Sequence, residues 1–385
     1  MERRILGRTG REVSVIGLGT WQLGADWGTV DEADAIAVLR AAVESGVTFF
    51  DTADVYGDGR SERIIGRFLA GNAGRGVFVA TKMGRRVAQV PSAYTLSHFR
   101  EWTDRSRVNL GVDRLDLVQL HCPPTPVYST DAVYDALDTL VAEERIAAYG
   151  VSVETSDEAL AALSRPGVAS VQIILNAFRR KPLDAVLPAA RAAGVGIIAR
   201  VPLASGLLSG RYTLDTVFGA DDHRSYNRHG EAFDVGETFS GVDYAAGVAA
   251  AGEFGAIVTA PGAFAADGAG VRGTGGVGGA GGAGGAGGAG RAGGAGGAGR
   301  AGGARGAGGA GGAGAETARV STAQAALRWV IQQPGVTTVI PGARNPEQAR
   351  QNAAAGTLPP LSQDALDRIE ALYDTRFRAQ IHARW

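Results

Sequence analysis

The chain has 385 residues and a formal charge of −1, from 38 Lys and Arg against 39 Asp and Glu. Because it has no basic excess to neutralise phosphates, its composition argues against a nucleic-acid-binding protein. The single cysteine, Cys122, excludes an intrachain disulfide framework and a cysteine-rich metal site, and it fits a reducing cytoplasm.

The N-terminal residues predict a hairpin and no targeting segment. No apolar region follows the arginines of residues 1–8, and the chain has no run of about 18 apolar residues. We therefore expect neither a secretory signal nor a membrane span, and a cytoplasmic location. Residues 3–6 and 13–18 resemble strands, and they flank the turn-forming residues 8–11. This pattern predicts a hairpin that leads into a strand.

Beyond the hairpin, short runs rich in β-branched residues alternate with stretches of helical spacing. The predicted strands are 47–51, 77–82, 115–121, 148–153, 170–176, 195–201 and 337–341. The predicted helices include 31–45, 96–110, 131–144, 242–252 and 321–333. Ser129 or Thr130 and Ser321 or Thr322 are predicted to cap two of them. Residues 204–240 interrupt the alternation and predict a long loop.

Eight strands result when residues 13–18 are counted, and each of the first seven is followed by helical sequence. Several runs are apolar on successive residues, which is typical of parallel strands covered on both faces. Eight such units in some 330 residues favour a (β/α)₈ TIM barrel. An open, doubly wound sheet is the alternative that the pattern alone leaves open.

A low-complexity tract lies between the last two predicted helices. Residues 268–315 contain 27 of the 59 glycines and largely repeat Gly-Gly-Ala. Such a segment has almost no side-chain area to bury, so we expect a disordered insertion within a single barrel domain spanning 1–385. Since the helix at 321–333 leads into the last strand, the tract could reach the substrate entrance. A neutral insertion is the simpler interpretation.

Four chemically active residues follow consecutive strands. Asp51 and Tyr56 follow the second, and Lys82 and His121 end the third and fourth. A parallel barrel gathers such strand ends at one rim. There Tyr56 can give a proton to a carbonyl oxygen while hydride reaches the carbon, with Lys82 lowering the pKa of the tyrosine. Asp51 would hold Lys82, and His121 would orient the oxygen. Each residue alone is more often structural, so the joint placement carries the prediction.

Seven segments of the chain form an ordered set of motifs. They are Gly17-Leu18-Gly19-Thr20-Trp21, Phe50-Asp51-Thr52-Ala53-Asp54-Val55-Tyr56-Gly57, Thr81-Lys82, Gln119-Leu120-His121, Tyr149-Gly150-Val151-Ser152, Pro202-Leu203-Ala204-Ser205-Gly206-Leu207-Leu208-Ser209-Gly210 and Ile340-Pro341-Gly342-Ala343-Arg344. In these motifs the chain resembles the aldo-keto reductases, and the resemblance covers nearly its whole length outside 253–319. It implies a barrel, NADPH-dependent reduction of an aldehyde or ketone, and a catalytic tetrad of Asp51, Tyr56, Lys82 and His121.

The resemblance also implies a cofactor site. Ser152 and Gln172 match positions that hold the nicotinamide carboxamide, although Val153 stands where the family usually has Asn. Arg200 stands where an aromatic residue often stacks on the nicotinamide. The positions matched around the adenosine end are Arg344, Gln348 and Asn352, where Arg344 favours NADP over NAD by pairing with a 2′-phosphate. The remaining cofactor-binding candidates are Gly19, Thr20, Pro202, Leu203, Ser205 and Gly342.

The substrate contacts are predicted to come from Trp21, Tyr56 and His121. Further candidates for the pocket are Trp27, Tyr226 and Trp385. We predict no metal site, because the spacing of Asp221, Asp222, His223 and His229 fits no familiar ligand pattern, and a polar loop over the cofactor explains these residues better.

Two alternatives concern nucleotide binding and catalysis. The G-x-G-x-x-G match at 273–278 arises from repeat composition and has no strand before it, and residues 17–22 lack the third glycine, so we reject a Rossmann fingerprint. The rival function is a non-catalytic NADPH-binding regulatory or interaction protein on the same barrel. The oligomeric state is left open.

Overall fold

The structure, a computed structural model, describes residues 1–24, 31–71, 76–266 and 320–385. The chain divides into two units, Met1–Asp267 together with Val320–Trp385, and Gly268–Arg319. The predicted insertion 268–315 and the pocket candidate Trp27 lie outside the described residues. The predictions made for both therefore stay predictions.

The first unit contains an N-terminal hairpin and an eight-stranded parallel sheet. The hairpin pairs β1 (Arg3–Ile5) with β2 (Glu12–Ser14) antiparallel. The parallel strands are β3 (Leu18–Gly19), β4 (Phe49–Asp51), β5 (Phe78–Met83), β6 (Leu117–His121), β7 (Tyr149–Ser152), β8 (Val168–Ile174), β9 (Gly196–Arg200) and β10 (Val336–Val339). Each strand neighbours the next in chain order. The N–H groups of Gly17 and Gly19 donate to the carbonyls of Val339 and Pro341, at 2.8 and 3.1 Å, which joins the first strand to the last. The predicted barrel is confirmed.

Helices cover the outside of this barrel. In the described residues they are α1 (Glu32–Glu44), α2 (Arg60–Ala70), α3 (Leu96–Leu110), α4 (Asp131–Ala142), α5 (Ser156–Leu163), α6 (Val186–Ala193), α7 (His223–Tyr226), α8 (Tyr244–Val258), α9 (Thr322–Ile331), α10 (Pro346–Ala354), α11 (Gln363–Tyr373) and α12 (Ala379–Ile381). None of these is both long and apolar enough to cross a membrane. Ser321 caps α9 in a reciprocal capping box with Gln324. Thr130 occupies the N-cap position of α4, but its hydroxyl donates to the carbonyl of Pro126 instead.

One predicted strand is divided in two. Residues 13–18 form the end of β2 and the start of β3, because the two parts have different partners. β2 pairs with β1 of the hairpin, whereas β3 pairs with β4 of the barrel. The chain redirects between them at Ser14, whose hydroxyl donates to the carbonyl of Ile16 at 2.6 Å.

The hairpin closes the end of the barrel where the strands begin. Leu6 and Val13 of the hairpin are fully buried against side chains from the strands. Their partners are Phe49, Phe78, Ala80, Leu117, Ile198 and Ile340. Because this end is filled with apolar side chains, the opposite rim is left for a site.

The predicted loop at 204–240 is partly ordered into short turns and the single helical turn α7. Asp222 caps α7 by accepting the N–H of Arg224 at 2.9 Å. The Arg224 guanidinium lies 4.4 Å from the ring centre of Phe218, and that of Arg228 lies 4.9 Å from Tyr244. The first of these cation–π contacts lies within the segment, and the second joins the segment to the start of α8.

Candidate active site

Asp51, Tyr56, Lys82 and His121 converge at the open rim. Asp51 and His121 are the last residues of β4 and β6, and Lys82 lies in β5 between them. Tyr56 lies in the turn after β4. That turn requires a glycine next to it, because Gly57 has a φ of +57° and a Cβ there would lie 2.0 Å from the carbonyl oxygen of Gly24.

The Lys82 ammonium connects these residues. It donates to the Asp51 carboxylate, to the carbonyl of Thr52 at 2.9 Å and to the Tyr56 hydroxyl at 3.2 Å. All three of its donors are therefore used. Although burial opposes it, the charge of Asp51, with a smaller contribution from Tyr56, raises the pKa of Lys82 above its usual 10.5. Lys82 is thus a fixed cation directed at the Tyr56 oxygen.

Two glutamines hold the Asp51 carboxylate from its other side. Gln172 donates to its Oδ2 at 2.7 Å and Gln119 at 3.2 Å. This removes one unsatisfied oxygen from a residue that is only 2% exposed. No role was predicted for Gln119, although it belongs to the segment Gln119-Leu120-His121. In a β-strand its side chain shares a face with that of His121, and this was the available signal.

The Tyr56 hydroxyl is protonated at neutral pH. Burial raises the pKa of Tyr56 above 10, and the opposing effect of Lys82 is too small to reverse this. Asp51, which pairs with Lys82, also acts to raise that pKa. Lys82 acts in the predicted direction, to lower the pKa of Tyr56, but burial and the charge of Asp51 outweigh that effect.

His121 is a neutral neighbour of that hydroxyl. Its ring meets the Tyr56 ring edge-on, with 6.0 Å between centres. Burial, together with the charges of Arg85, Lys82 and Arg200, holds the pKa of His121 well below 6.5. Its Nδ1 is buried without a hydrogen-bond partner among the described residues. A neutral imidazole can donate one hydrogen bond to a ligand oxygen.

A cavity of about 520 Å³ extends from Tyr56 along the rim. The predicted cofactor residues that line it are Gly19, Thr20, Gln172, Arg200, Pro202, Leu203, Ser205, Gly342, Arg344, Gln348 and Asn352. Trp21, Asp51 and Tyr56 line it as well. Ser152 is not part of this lining. It is 1% exposed, and its hydroxyl oxygen lies 3.4 Å from the Cys122 sulfur.

The far end of the cavity lies at the start of α10. There the Gln348 side chain accepts the Arg344 N–H at 2.8 Å, and the Asn352 amide donates to the carbonyl of Gly342 at 3.0 Å. The exposed side chain of Arg344 adds a positive charge beside the helix N-terminus. Both features favour an anionic group at this end.

An ion-paired arginine forms the wall near Tyr56. Arg200 pairs with Glu237 and, at 2.9 Å, with Glu154, and it donates to the carbonyl of Val153 at 2.9 Å. Although burial opposes it, the two glutamates raise the pKa of Arg200 well above its usual value. Neither glutamate was predicted from the sequence. A buried arginine requires an anionic partner, but nothing in the sequence says which carboxylate supplies it.

Aromatic side chains surround the Tyr56 ring. Trp21 stacks on Tyr56 with 6.1 Å between ring centres, and it also contacts His223 at 5.2 Å and Phe233 at 5.8 Å. Tyr226 contacts Phe233 of this group, with 6.1 Å between ring centres.

The third candidate, Trp385, packs elsewhere. Its ring lies 3.9 Å from the Arg179 guanidinium, outside the lining of the cavity.

Comparisons with known proteins all find members of one family. A family model described as the aldo/keto reductase family matches residues 15–269 and 304–374. Aldo-keto reductase YhdN of Bacillus subtilis is 32% identical over 231 residues, which cover 59% of this chain and 70% of that protein.

Solved structures show the same fold. The holo form of aldo-keto reductase AKR11C1 from Bacillus halodurans matches with a TM-score of 0.67 and 22% identity, covering 99% of both chains. An aldo-keto reductase from Klebsiella pneumoniae in complex with NADPH matches with a TM-score of 0.61 and 22% identity, covering 97% of this chain and 96% of that one.

Proposed function

The chain belongs to the aldo/keto reductase family, and we propose that it reduces an aldehyde or ketone to an alcohol with NADPH, using Tyr56 as the proton donor. The observation that carries this proposal is the 3.2 Å hydrogen bond from the buried Lys82 ammonium to a protonated Tyr56 hydroxyl at the end of a cavity.

Each residue of the group has a separate task in the proposed reaction. The Tyr56 hydroxyl gives its proton to the carbonyl oxygen, and Lys82 stabilises the phenolate that remains. Asp51 keeps Lys82 charged and in position, and neutral His121 donates a hydrogen bond to the same oxygen. NADPH, when bound, supplies the hydride that the carbonyl carbon receives. The phenolate then takes a proton from water.

The cavity suits a dinucleotide phosphate. One end reaches the proposed proton donor, and the other reaches Arg344 at the N-terminus of α10. A molecule with a hydride-carrying ring at one end and phosphates at the other fits this distribution of charge. Gln172 would hold the nicotinamide carboxamide, and Arg344 would hold the 2′-phosphate. The NADPH bound by the Klebsiella pneumoniae protein supports this choice of cofactor.

The test is NADPH oxidation with a panel of aldehydes. We expect Tyr56→Phe to lower kcat by about 10²–10⁴-fold, because it lacks the acidic hydrogen. The dissociation constant for NADPH should stay within about twofold of that of the wild type. Tyr94→Phe is the matched control, because that buried tyrosine lies outside the cavity lining.

Two results would contradict the proposal. Equal turnover by Tyr56→Phe and wild type would remove Tyr56 from the mechanism. Tight NADPH binding by the wild type without turnover of any aldehyde would favour the non-catalytic NADPH-binding protein instead.

A further inference from the structure

The wall of the cavity beside Tyr56 contains Arg200, a cation whose charge is balanced by neighbouring carboxylates. Arg200 and Glu237 both line the cavity together with Tyr56 and Gln172. Arg200 comes from the end of β9, whereas Glu237 comes from the segment 204–240 that follows it. Their side chains are 8% and 16% exposed, so the ion pair is largely shielded from water. Charges in such a place act over longer distances than they do in solvent.

Arg200 is unsuited to holding a phosphate. Its two terminal nitrogens are occupied by Glu237, Glu154 and the carbonyl of Val153. Its Nε is buried and has no hydrogen-bond partner among the described residues. The guanidinium therefore contributes a charge and a flat surface to the cavity.

The formal charges of the arginines and carboxylates at this wall sum to zero. Arg85 lies 3.8 Å from Glu154, and Arg179 lies 4.0 Å from Asp234. With Arg200 and Glu237, three arginines face three carboxylates. The pair of Lys82 and Asp51 is likewise neutral. Of the three carboxylates Glu154, Asp234 and Glu237, Glu237 lines the cavity. Its loss would leave these arginines and carboxylates with one excess positive charge beside the cavity.

The affinity of this site for a nicotinamide cofactor depends on the net charge of these residues, because the two redox forms of the cofactor differ in charge. The reduced ring is neutral, and the oxidised ring carries one positive charge. The ring must lie near the Tyr56 hydroxyl for hydride and proton to reach the same carbonyl, which places it beside Arg200 and Glu237. The excess positive charge left by loss of Glu237 would repel the oxidised ring and leave the reduced ring almost unaffected.

We propose that Glu237, by neutralising Arg200, sets the ratio of affinities of this site for oxidised and reduced cofactor. This inference rests on the proposed function, in that it requires NADP(H) in this cavity. It assigns Glu237 the role of a positioning and charge-balancing residue that takes no part in proton transfer.

The test is equilibrium titration of NADPH and NADP⁺ separately, without a carbonyl substrate. We expect Glu237→Gln to weaken NADP⁺ relative to NADPH by about tenfold or more, since one charge is removed at a shielded site. The double variant Arg200→Gln with Glu237→Gln should return the ratio to within about threefold of the wild type. Glu231→Gln, an exposed glutamate of the same segment, is the matched control.

The outcomes separate charge from structure. If Glu237→Gln weakens both forms equally, or changes neither, Glu237 has no charge-balancing role and the inference is wrong. If that variant does not fold, Arg200→Gln alone tests the same balance, because it should move the ratio towards NADP⁺. An unchanged ratio with binding intact would leave the proposed function standing. Failure of the wild type to bind either form would overturn both proposals.

Discussion

Asp54 is a carboxylic acid held in an unfavourable place two residues before Tyr56. It is fully buried, and neither oxygen makes a hydrogen bond of ordinary geometry with another described residue. Burial, with a contribution from the charge of Glu62, raises the pKa of Asp54 from 3.8 to about 7. Glu62 itself is satisfied by Thr81 at 2.7 Å and Asn109 at 2.8 Å. The turn that carries Tyr56 therefore contains a group that is protonated in the folded protein at mildly acidic pH.

This predicts a loss of stability as the pH rises. Between about pH 4 and pH 7 the unfolded chain releases the Asp54 proton while the folded protein keeps it, so folding becomes less favourable. Below about pH 4 Asp54 is protonated in both the folded and the unfolded state. Above about pH 7 it is ionised in both, so the loss of stability no longer changes with pH. We expect the difference in unfolding free energy between Asp54→Asn and wild type to grow by about 2–3 kcal/mol, in favour of the variant, from pH 5 to pH 8. Urea denaturation at each pH measures it.

The control for this prediction is Asp135→Asn, which removes an exposed carboxylate on α4. It is measured at the same pH values and shows the effect of the same substitution at an exposed site. A pH-independent difference for Asp54→Asn as well would show that Asp54 is ionised in the folded protein.

Among single residues, the sequence predicted positions better than charge states. Asp51, Lys82 and His121 meet because the carboxyl ends of parallel strands share one rim, which is a property of the fold. The pKa of Tyr56 is the net result of burial and two opposite charges, and only coordinates give their balance. Glu237 could not be paired with Arg200, because it lies 37 residues away on a segment without periodicity.

At the scale of elements, the predicted strands lie close to the observed ones because buried parallel strands are continuous apolar runs with polar boundaries. All seven residues of β8 are buried, for example. The division of residues 13–18 between β2 and β3 was not predicted, because an apolar run does not indicate which strand each of its halves pairs with. The hairpin that results packs beneath the barrel, with Gly7 against the backbones of β8 and β9.

We predict that Gly7→Ala destabilises the protein far more than Gly10→Ala. Both glycines have positive φ, of 47° and 66°, so both variants incur the strain of a left-handed residue, about 1 kcal/mol. A Cβ at Gly7 would also lie 2.2 Å from the Gly196 nitrogen and 2.3 Å from the Ala169 oxygen, whereas Gly10 has open space. The backbone clash should add about 2 kcal/mol or more to the loss of unfolding free energy.

Urea denaturation of the two variants tests this contact directly, because each serves as the other's reference. Equal destabilisation would mean that the hairpin moves away from β8 and β9 at little cost. The hairpin would then be a loose cover and not a fixed part of the barrel core.

At the scale of the molecule, the two ends of the barrel have different tasks. The hairpin fills one end with apolar side chains, and the other end holds the cavity and the buried charges. The segment 204–240 contributes the cavity lining that the strands do not provide, including Ser205, His223 and Glu237. The periodicity of the sequence predicted the barrel. It could not predict the conformation of 204–240, because the arginine–aromatic contacts of this segment join residues of irregular spacing.

The tract 268–315 lies outside the described residues, and its neighbours in the chain are anchored without it. Before it, Phe264 pairs with Leu361, and after it Ser321 and Gln324 close the capping box of α9. We therefore predict that deletion of 268–315 leaves kcat/KM for aldehydes within about twofold. Because closing a loop some tenfold longer costs about 2 kcal/mol, the deletion should also stabilise the protein by up to that amount. A raised KM with unchanged NADPH binding would instead show that the tract reaches the substrate entrance.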